Sequence, residues 1–390
     1  MTPEEKLQLL GDDARFESCD SFTPRRKKGR ASSALSPGIT PTTTSDGRTM
    51  QLFRVLQSNS CEWDCPYCPL RRSNDIPRAT LAPQEMADLF MARQASGAVQ
   101  GLFLSSAVDG GLRPAIAHML DTVELLRVRY AYAGYVHLKL LPGTRPDEIE
   151  RAARLADRLS VNMEAPNGER LKRIAPERSW RSIMEPMAYV RDAQASGLLS
   201  SGQATQLVVG AAGESDREIF AAITRLYHEF DLRRVYFNAF RPQPNTPMAG
   251  AEPTPLVRQQ RLQEADWLLR HYGFKAAELP FDQDDNLPLH VDPKFAWALA
   301  HPEQFPLEIN TAEREELLRV PGIGPISLER ILAMRRTLHF RELSHLQKIG
   351  VVTSKARHFV TLDGRFLGEA SETVARRLRR KPVVEQLSFW

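Results

Sequence analysis

Between residues 51 and 240, short apolar runs alternate with longer stretches in which apolar residues recur at helical spacing. The runs QLFRVLQS, GLFLSS, GYVHLKLL, RLSVNME, TQLVVGA and RVYFNAF predict strands, and the stretches 83–96, 114–130, 177–196 and 215–230 predict amphipathic helices between them. Strands that are apolar at nearly every position are buried on both faces, as in a parallel sheet covered by helices. Six such repeats predict an α/β fold, a partial (β/α)6 barrel, with its chemistry at the C-terminal ends of the strands.

Outside this region the pattern changes. Residues 4–12 have helical spacing, and the Ser/Thr/Pro/Gly-rich stretch after the basic run Arg25 to Arg30 reads as a loop or mobile arm. That basic run has two readings, a nucleic-acid contact and a solvated stretch. Residues 255–274 predict one long helix, followed by an irregular connector in which Asp282, Asp284 and Asp285 suit a turn better than a metal site. The expected organisation is an N-terminal segment 1–50, a barrel 51–251, a connector 252–306, a small all-α domain 307–362 and a basic tail 363–390.

In that all-α domain, INTAEREELLRVPGIGPISLERILAMRR reads as helix, tight hairpin, helix. Gly322, Ile323 and Gly324 form the hairpin, whose glycines allow a sharp bend that turns backbone N–H groups outward, where they can bind a phosphate. Arg330, Arg335 and Arg336 follow on the second helix. A weaker copy, LSHLQKIGVVTSKARHFV, places Lys348, Gly350, Lys355 and Arg357 similarly. Paired helix-hairpin-helix modules grip duplex DNA through its phosphates, largely without reading sequence.

Charge sharpens this reading. The chain has 390 residues and a net charge of +4, yet residues 330–381 hold 13 Lys/Arg against 4 Asp/Glu, a local net of +9. Basic character therefore belongs to the C-terminal end, as expected of a polyanion-binding segment. No apolar run approaches a membrane span and the N-terminus has no signal-peptide pattern, so a cytoplasmic location is expected.

Cys61, Cys65 and Cys68, spaced Cys-x-x-x-Cys-x-x-Cys just after the first strand, carry the candidate chemistry. A cubane iron–sulfur cluster held by three thiolates keeps one iron open to a small chelating molecule. Zinc would need a fourth nearby ligand, and Cys19 and His137 are distant in sequence. Three of the four cysteines crowd into eight positions, which argues against disulfides. This loop, with Tyr67 before its third cysteine, is the pattern of radical S-adenosylmethionine (SAM) enzymes.

Over nearly its whole length the chain resembles the DNA modification/repair radical SAM protein family, on the cysteine loop and on LRRSNDIPRA, GYVHLKLLPG, ADRLSVNMEAPNGERLKRIAPE, FNAFRPQPNTPM, HVDPKFAWALAHPEQFPLEIN and VPGIGP. The resemblance implies a [4Fe–4S] cluster on Cys61, Cys65 and Cys68, SAM on its open iron, an electron donor, and a uracil-DNA-glycosylase-like partner. It implies SAM contacts from Tyr67, from Ser105 and Ser106 in place of a Gly-Gly-Glu-like turn, from Glu164, from Gly210 with Ala211, and from Asn238 with Phe240. The departure at Ser105-Ser106, followed by Asp109-Gly110-Gly111, leaves the amine contact open. Lys139 and His137 share one face of a strand, and if that face is the lumen they can contact SAM or a substrate phosphate. Glu164 has a second reading as a helix cap before Pro166. Arg71, Arg72 and Arg78 can approach SAM, approach DNA, or lie in solvent.

The expected function is a radical SAM enzyme that binds DNA and repairs or modifies a nucleotide through a 5′-deoxyadenosyl radical. Alternatives are an RNA- or tRNA-modifying radical SAM enzyme and a non-catalytic iron–sulfur DNA-binding adaptor, the latter requiring Cys19 as a fourth ligand. Cys19 is otherwise a candidate catalytic thiol or a buried small residue. The final Gln386, Leu387, Phe389 and Trp390 resemble the short peptide that docks on the replication sliding clamp.

Overall fold

The computed structural model describes residues 1–14, 38–43 and 49–379. They fall into two compact units: Met1–Glu214 with Ala221–Thr254, and Ser215–Phe220 with the chain from Pro255 onward. The second unit thus takes the connector together with the hairpin region.

The first unit is built on a seven-stranded sheet in sequence order. β1 (Ile39–Thr43) pairs antiparallel with β2 (Thr49–Leu56). From β2 the order runs in parallel through β3 (Gly101–Ser105), β4 (Tyr135–Leu140), β5 (Arg158–Val161), β6 (Gly202–Val209) and β7 (Leu232–Ala239). The six parallel strands are the six apolar runs of the sequence, and the curled sheet is a half-barrel. β1 is an addition: ITPTT is β-branched enough to pair along an edge but too polar to stand out as a core strand.

Between the strands lie α2 (Pro83–Ala95), α3 (Leu112–Glu124), α4 (Pro146–Leu155), α5 (Gly168–Ile174), α6 (Trp180–Ala195) and α7 (Asp216–Glu229), while α1 (Pro3–Asp13) opens the chain. Ion pairs from Lys6 to Glu85 (2.8 Å) and from Arg93 to Glu4 (2.7 Å) link α1 to α2. One parity along the strands is an apolar core, with Phe53, Val55, Leu102, Leu104, Val136, Leu138, Leu159, Leu207 and Phe237 buried. The opposite parity is mixed. On it Leu52, Phe103, Ala204 and Tyr236 pack with Met50 and Tyr135, and Arg54, His137 and Arg158 lie level with Phe103.

The second unit contains α8 (Leu256–His271), α9 (Pro293–Ala300), α10 (Arg314–Arg319), α11 (Pro325–Met334), α12 (Leu343–Lys348), α13 (Thr353–Ala356) and α14 (Ser371–Arg379). A small sheet joins β8 (Leu307–Glu308), β9 (Val360–Leu362) and β10 (Arg365–Phe366). Its core is aromatic: Phe295 and Phe305 both meet Phe359 edge-on, at 5.0 and 5.1 Å. Asp282 accepts the backbone N–H groups of Asp284 and Asn286, and Asp285 pairs with Arg217 at 2.6 Å, so these carboxylates close a turn. Among the described residues, no helix is long and apolar enough to cross a membrane.

Lys294 is the unusual core residue of this unit. Only 7% exposed, it donates to the Ile323 carbonyl at 2.6 Å and sits 4.6 Å from the centre of the Tyr272 ring. Burial is the main force lowering its pKa, to about 7. An unfolded chain holds a lysine proton up to about pH 10.4, so between the two values the unfolded state binds more protons. Stability of this unit therefore rises with pH from about 7 to about 10 and is flat below. Thermal melts across that range should show a steeper rise for the wild type than for Lys294→Met, and parallel curves would refute the assignment.

Candidate active site and hairpin surface

The C-terminal ends of β2 to β7 meet along one edge of the half-barrel, and most of the residues expected to bind the cofactors lie there. The cysteine loop leaves β2 and is held by its own backbone. The Cys68 N–H donates to the Cys65 carbonyl (3.1 Å), and Arg72 N–H to Trp63 (2.9 Å). Arg78 ties the turns together by donating to the carbonyls of Asn59, Leu70, Arg71 and Asn74, all within 3.0 Å. Arg71 forms a fork with Asp64, whose carboxyl is held well below its usual range mainly by that guanidinium. Arg71 and Arg78 therefore build the loop, whereas Arg72 donates to the Glu62 carbonyl and lies near Glu177.

Cys65 is buried, and Cys61 and Cys68 are half-buried. Burial raises the thiol of Cys68 to about 12, with Cys65 adding to the shift, and burial likewise raises Cys65 against the opposing charge of Arg178. Such thiols become thiolates when iron displaces their protons. Among the described residues no three His, Cys, Asp or Glu side chains converge on a single-ion position. Three cysteines that each ligate a different iron of a cubane are spread more widely than ligands of one ion.

Glu164 was expected as either a cofactor contact or a helix cap, and it does not cap. Asn167 caps α5, accepting from Arg170 N–H at 2.9 Å. Glu164 is 3% exposed, lies just beyond β5, and extends the sheet through Glu164 N–H to Gln206 O and Val208 N–H to Glu164 O, both 2.9 Å. Its φ of +61° is a left-handed conformation that costs a non-glycine residue about 1–2 kcal/mol. Backbone held in this state at a buried, charged position is a mark of function.

The partner of Glu164 is Arg178, which the sequence reading did not single out. Their ion pair is 2.8 Å long, and the Arg178 guanidinium lies 4.8 Å over the Trp63 ring inside the cysteine loop. Asn167 and Ser179, the caps of α5 and α6, delimit the short segment that carries Glu177 and Arg178 to this place. Glu177 accepts the Asp64 N–H. Burial opposes the charge on Arg178, but Cys65, Tyr67 and Glu164 more than offset it and keep it protonated. Tyr67 is pushed well above its ordinary pKa by burial and by Glu164.

Three polar atoms sealed from solvent here have no hydrogen-bond partner: Glu164 Oε2, Arg178 Nε and Ser105 Oγ. An anionic acceptor, a cationic donor and a hydroxyl are the set an amino-acid headgroup requires, so these residues fit the amine and carboxylate of SAM. Ser106 bonds its neighbour's carbonyl, and Asp109 accepts from Ser58 (2.9 Å) and Thr80 (2.5 Å), which fixes the turn. Gly210 has φ +88° at the end of β6 and donates its N–H to Glu214, and Asn238 lies at the end of β7, paired with Val208. Lys139 and His137 occupy the mixed face of β4, and His137 bonds Ser160 at 2.8 Å. Cys19, the basic run Arg25 to Arg30, and Gln386, Leu387, Phe389 and Trp390 lie outside the described residues.

In the second unit the two hairpins are structural equivalents. Gly322 and Gly350 have φ of +89° and +91°, and Val352 N–H donates to Gly322 O at 2.9 Å. A Cβ on Gly322 would meet the Val352 oxygen at 2.4 Å, so both the turn and the close approach require glycine. Gly324, by contrast, is extended and caps α11; a Cβ there would press on the Tyr272 hydroxyl at 3.2 Å. Several cations expected at phosphates also serve the unit itself. Arg330 donates to Ile349 O (3.1 Å), Arg335 to Ala312 O (2.7 Å) and Arg357 to Leu367 O (2.7 Å), while Lys355 pairs with Asp292 (2.8 Å). Lys348 and Arg336 are exposed.

Removing one member of a buried ion pair strands the other at a cost of about 3–5 kcal/mol. Arg178→Met should lower the stability of the apoprotein by that order in urea unfolding, and adding Glu164→Gln should recover part of the loss. Strictly additive losses would disprove the coupling.

Residues 55–226 match the model of the Radical SAM superfamily. The GTP 3',8-cyclase of Rhodopseudomonas palustris (strain TIE-1) is 29% identical over 175 residues, 42% of this chain and 48% of that protein. The chain therefore spans about half the length of the curated relative it matches. Among solved structures, the FeFe-hydrogenase maturase HydG from Carboxydothermus hydrogenoformans aligns with 16% identity and a TM-score of 0.46, covering 55% of this chain and 49% of that one. A radical SAM methyltransferase from Sphaerobacter thermophilus aligns with 17% identity and a TM-score of 0.42, covering 66% and 84%. The cysteine loop, the serine turn and the Glu164–Arg178 pair all lie within the stretch that matches the Radical SAM superfamily, a family whose cofactors are a [4Fe–4S] cluster and SAM.

Proposed function

We propose that this chain is a radical SAM enzyme that acts on a nucleotide within duplex DNA. The observation that carries the DNA reading is the pair of matched glycine hairpins, Gly322 and Gly350, in a segment of net charge +9 on the same chain as the radical SAM domain. Hairpins of this kind present backbone N–H groups to phosphates, and exposed Lys348 and Arg336 add charge. A flipped or damaged nucleotide is the form of duplex substrate that a barrel site can reach. Cys61, Cys65 and Cys68 would hold the cluster, and Glu164, Arg178 and Ser105 the SAM headgroup, with Tyr67, Gly210 and Asn238 around the rest. When bound, the cofactors supply a 5′-deoxyadenosyl radical, given an electron from a donor protein. This chain's own residues hold Glu164 and Arg178 together out of water, and orient the headgroup by charge-assisted hydrogen bonds.

Two measurements test this. In the anaerobically reconstituted protein with SAM and dithionite, 5′-deoxyadenosine should rise when duplex DNA carrying defined lesions is added. Replacing exposed Lys348 and Arg336 with Glu should remove that stimulation, and DNA affinity should lose about one unit of salt slope for each phosphate contact removed. Stimulation by folded RNA and not by duplex DNA would replace this reading with the RNA-modifying one. Separately, Glu164→Gln should weaken SAM binding about tenfold or more, the scale of one charged hydrogen bond, with the cluster's visible absorbance retained. Unchanged SAM affinity would remove Glu164 from the site.

A further inference from the structure

The two hairpins share a turn, but they do not leave the same groups free. Aligned on their glycines, Gly322-Ile323-Gly324 matches Gly350-Val351-Val352, so the N–H of Gly324 and that of Val352 hold equivalent places. The Val352 N–H is used inside the unit, on the Gly322 carbonyl at 2.9 Å. The Gly324 N–H makes no hydrogen bond among the described residues. A backbone donor left over in a folded chain is one that water or a ligand takes.

Behind that free donor lies Lys294. The Ile323–Gly324 peptide is trans, so its carbonyl and its N–H point in opposite directions. Lys294 Nζ donates to the Ile323 carbonyl at 2.6 Å, on the far side of the peptide from the Gly324 N–H. A carbonyl that accepts from an ammonium polarises its own peptide, and the N–H on the other side becomes a stronger donor. In the second hairpin a cation meets a different carbonyl: Arg330 donates to Ile349, two residues before Val351, at 3.1 Å.

The charge of Lys294 is not matched within the unit. The charged groups that act on it are Asp292, just before α9, Lys355 on α13 and Arg319 at the end of α10, and the Tyr272 ring faces it from the end of α8. Asp292 is paired with Lys355 at 2.8 Å and Arg319 with Glu278 at 2.9 Å, and among the described residues no carboxylate forms an ion pair with Lys294. A buried ammonium without a carboxylate is costly, and groups of this kind gather at functional sites. An anion on the outer side of the Ile323–Gly324 peptide would supply the missing charge.

We propose that the first hairpin makes the phosphate contact of this unit, through the Gly324 N–H with Lys294 as the positioning residue behind it, and that the second hairpin is its brace. The proposal rests on the reading of this chain as DNA-binding and says which hairpin holds the duplex. A phosphate at Gly324 and the proton on Lys294 then favour one another, so binding of DNA draws protons onto the protein as pH rises through about 7.

The test is anisotropy titration of a labelled DNA duplex with the cluster-loaded full chain. Ile326 and Ser354 are exposed and hold matching places, two residues beyond Gly324 and Val352. Ile326→Glu should weaken binding about tenfold or more, and Ser354→Glu by no more than about twofold. Equal losses would overturn the assignment to one hairpin. Wild-type affinity should fall several-fold as pH rises through about 7, and calorimetry in buffers of different ionisation heat should show proton uptake on binding. Lys294→Met should bind more weakly, without that pH dependence, and with an unchanged salt slope, because Lys294 itself touches no phosphate. Lys294→Arg, whose charge is permanent, should recover the affinity but not the pH dependence. Absence of proton uptake by the wild type, a pH dependence that survives in Lys294→Met, or a salt slope lost with the lysine would overturn its role, the last by making it merely structural. If the duplex binds and stimulates 5′-deoxyadenosine formation while these outcomes fail, this inference alone falls. A full chain that binds no duplex would overturn the DNA reading and the inference with it.

Discussion

The half-barrel's cofactor edge depends on one buried ion pair. Glu164 and Arg178 sit where three parts of the chain meet: the extension of β5 onto β6, the loop between α5 and α6, and the cysteine loop through Trp63. Charges removed from water are expensive to hold apart and only break even when held together with good geometry. The pair therefore acts less as a source of stability than as a constraint on position. It fixes a backbone that would otherwise relax from φ +61°, and it brings the α5–α6 loop, through Glu177, onto Asp64 beside the cysteines.

The sheet distributes its chemistry by parity. One face is filled by Phe, Val and Leu against the helices, which fixes the register, since a one-residue slip would exchange that core for Arg54, His137 and Lys139. Register in turn determines which cations become neighbours. The aromatic and small residues Leu52, Phe103, Ala204 and Tyr236 pack together on the mixed face, with Arg54 and His137 level with Phe103.

The strands, the order of the parallel sheet and the position of the cysteine loop were legible because each follows from local pattern: apolar runs of strand length, helical periodicity, and tightly spaced thiols. Gly322 and Gly350 were legible because a turn at positive φ leaves a local residue signature. Arg178 was not, because nothing in APERSW marks one arginine among many as buried, and its partner is fourteen residues away on another element. The internal use of Arg335 and Arg357 was hidden for the same reason: a guanidinium beside a hairpin looks identical in sequence whether it faces a phosphate or its own chain's carbonyls. Strand β1 was missed because ITPTT is an edge strand, stabilised by pairing with β2 rather than by burial.

Arg78 spends its guanidinium on four carbonyls of the cysteine loop, and so the polypeptide itself contributes to the loop's shape. In small metallodomains the energy of metal binding is consumed in folding, and loss of metal is loss of structure. The hydrogen bonds of Arg78 contain no metal, so part of the order that three iron ligands need is written into the polypeptide, and a change at Arg78 would be felt at cysteines that it does not touch.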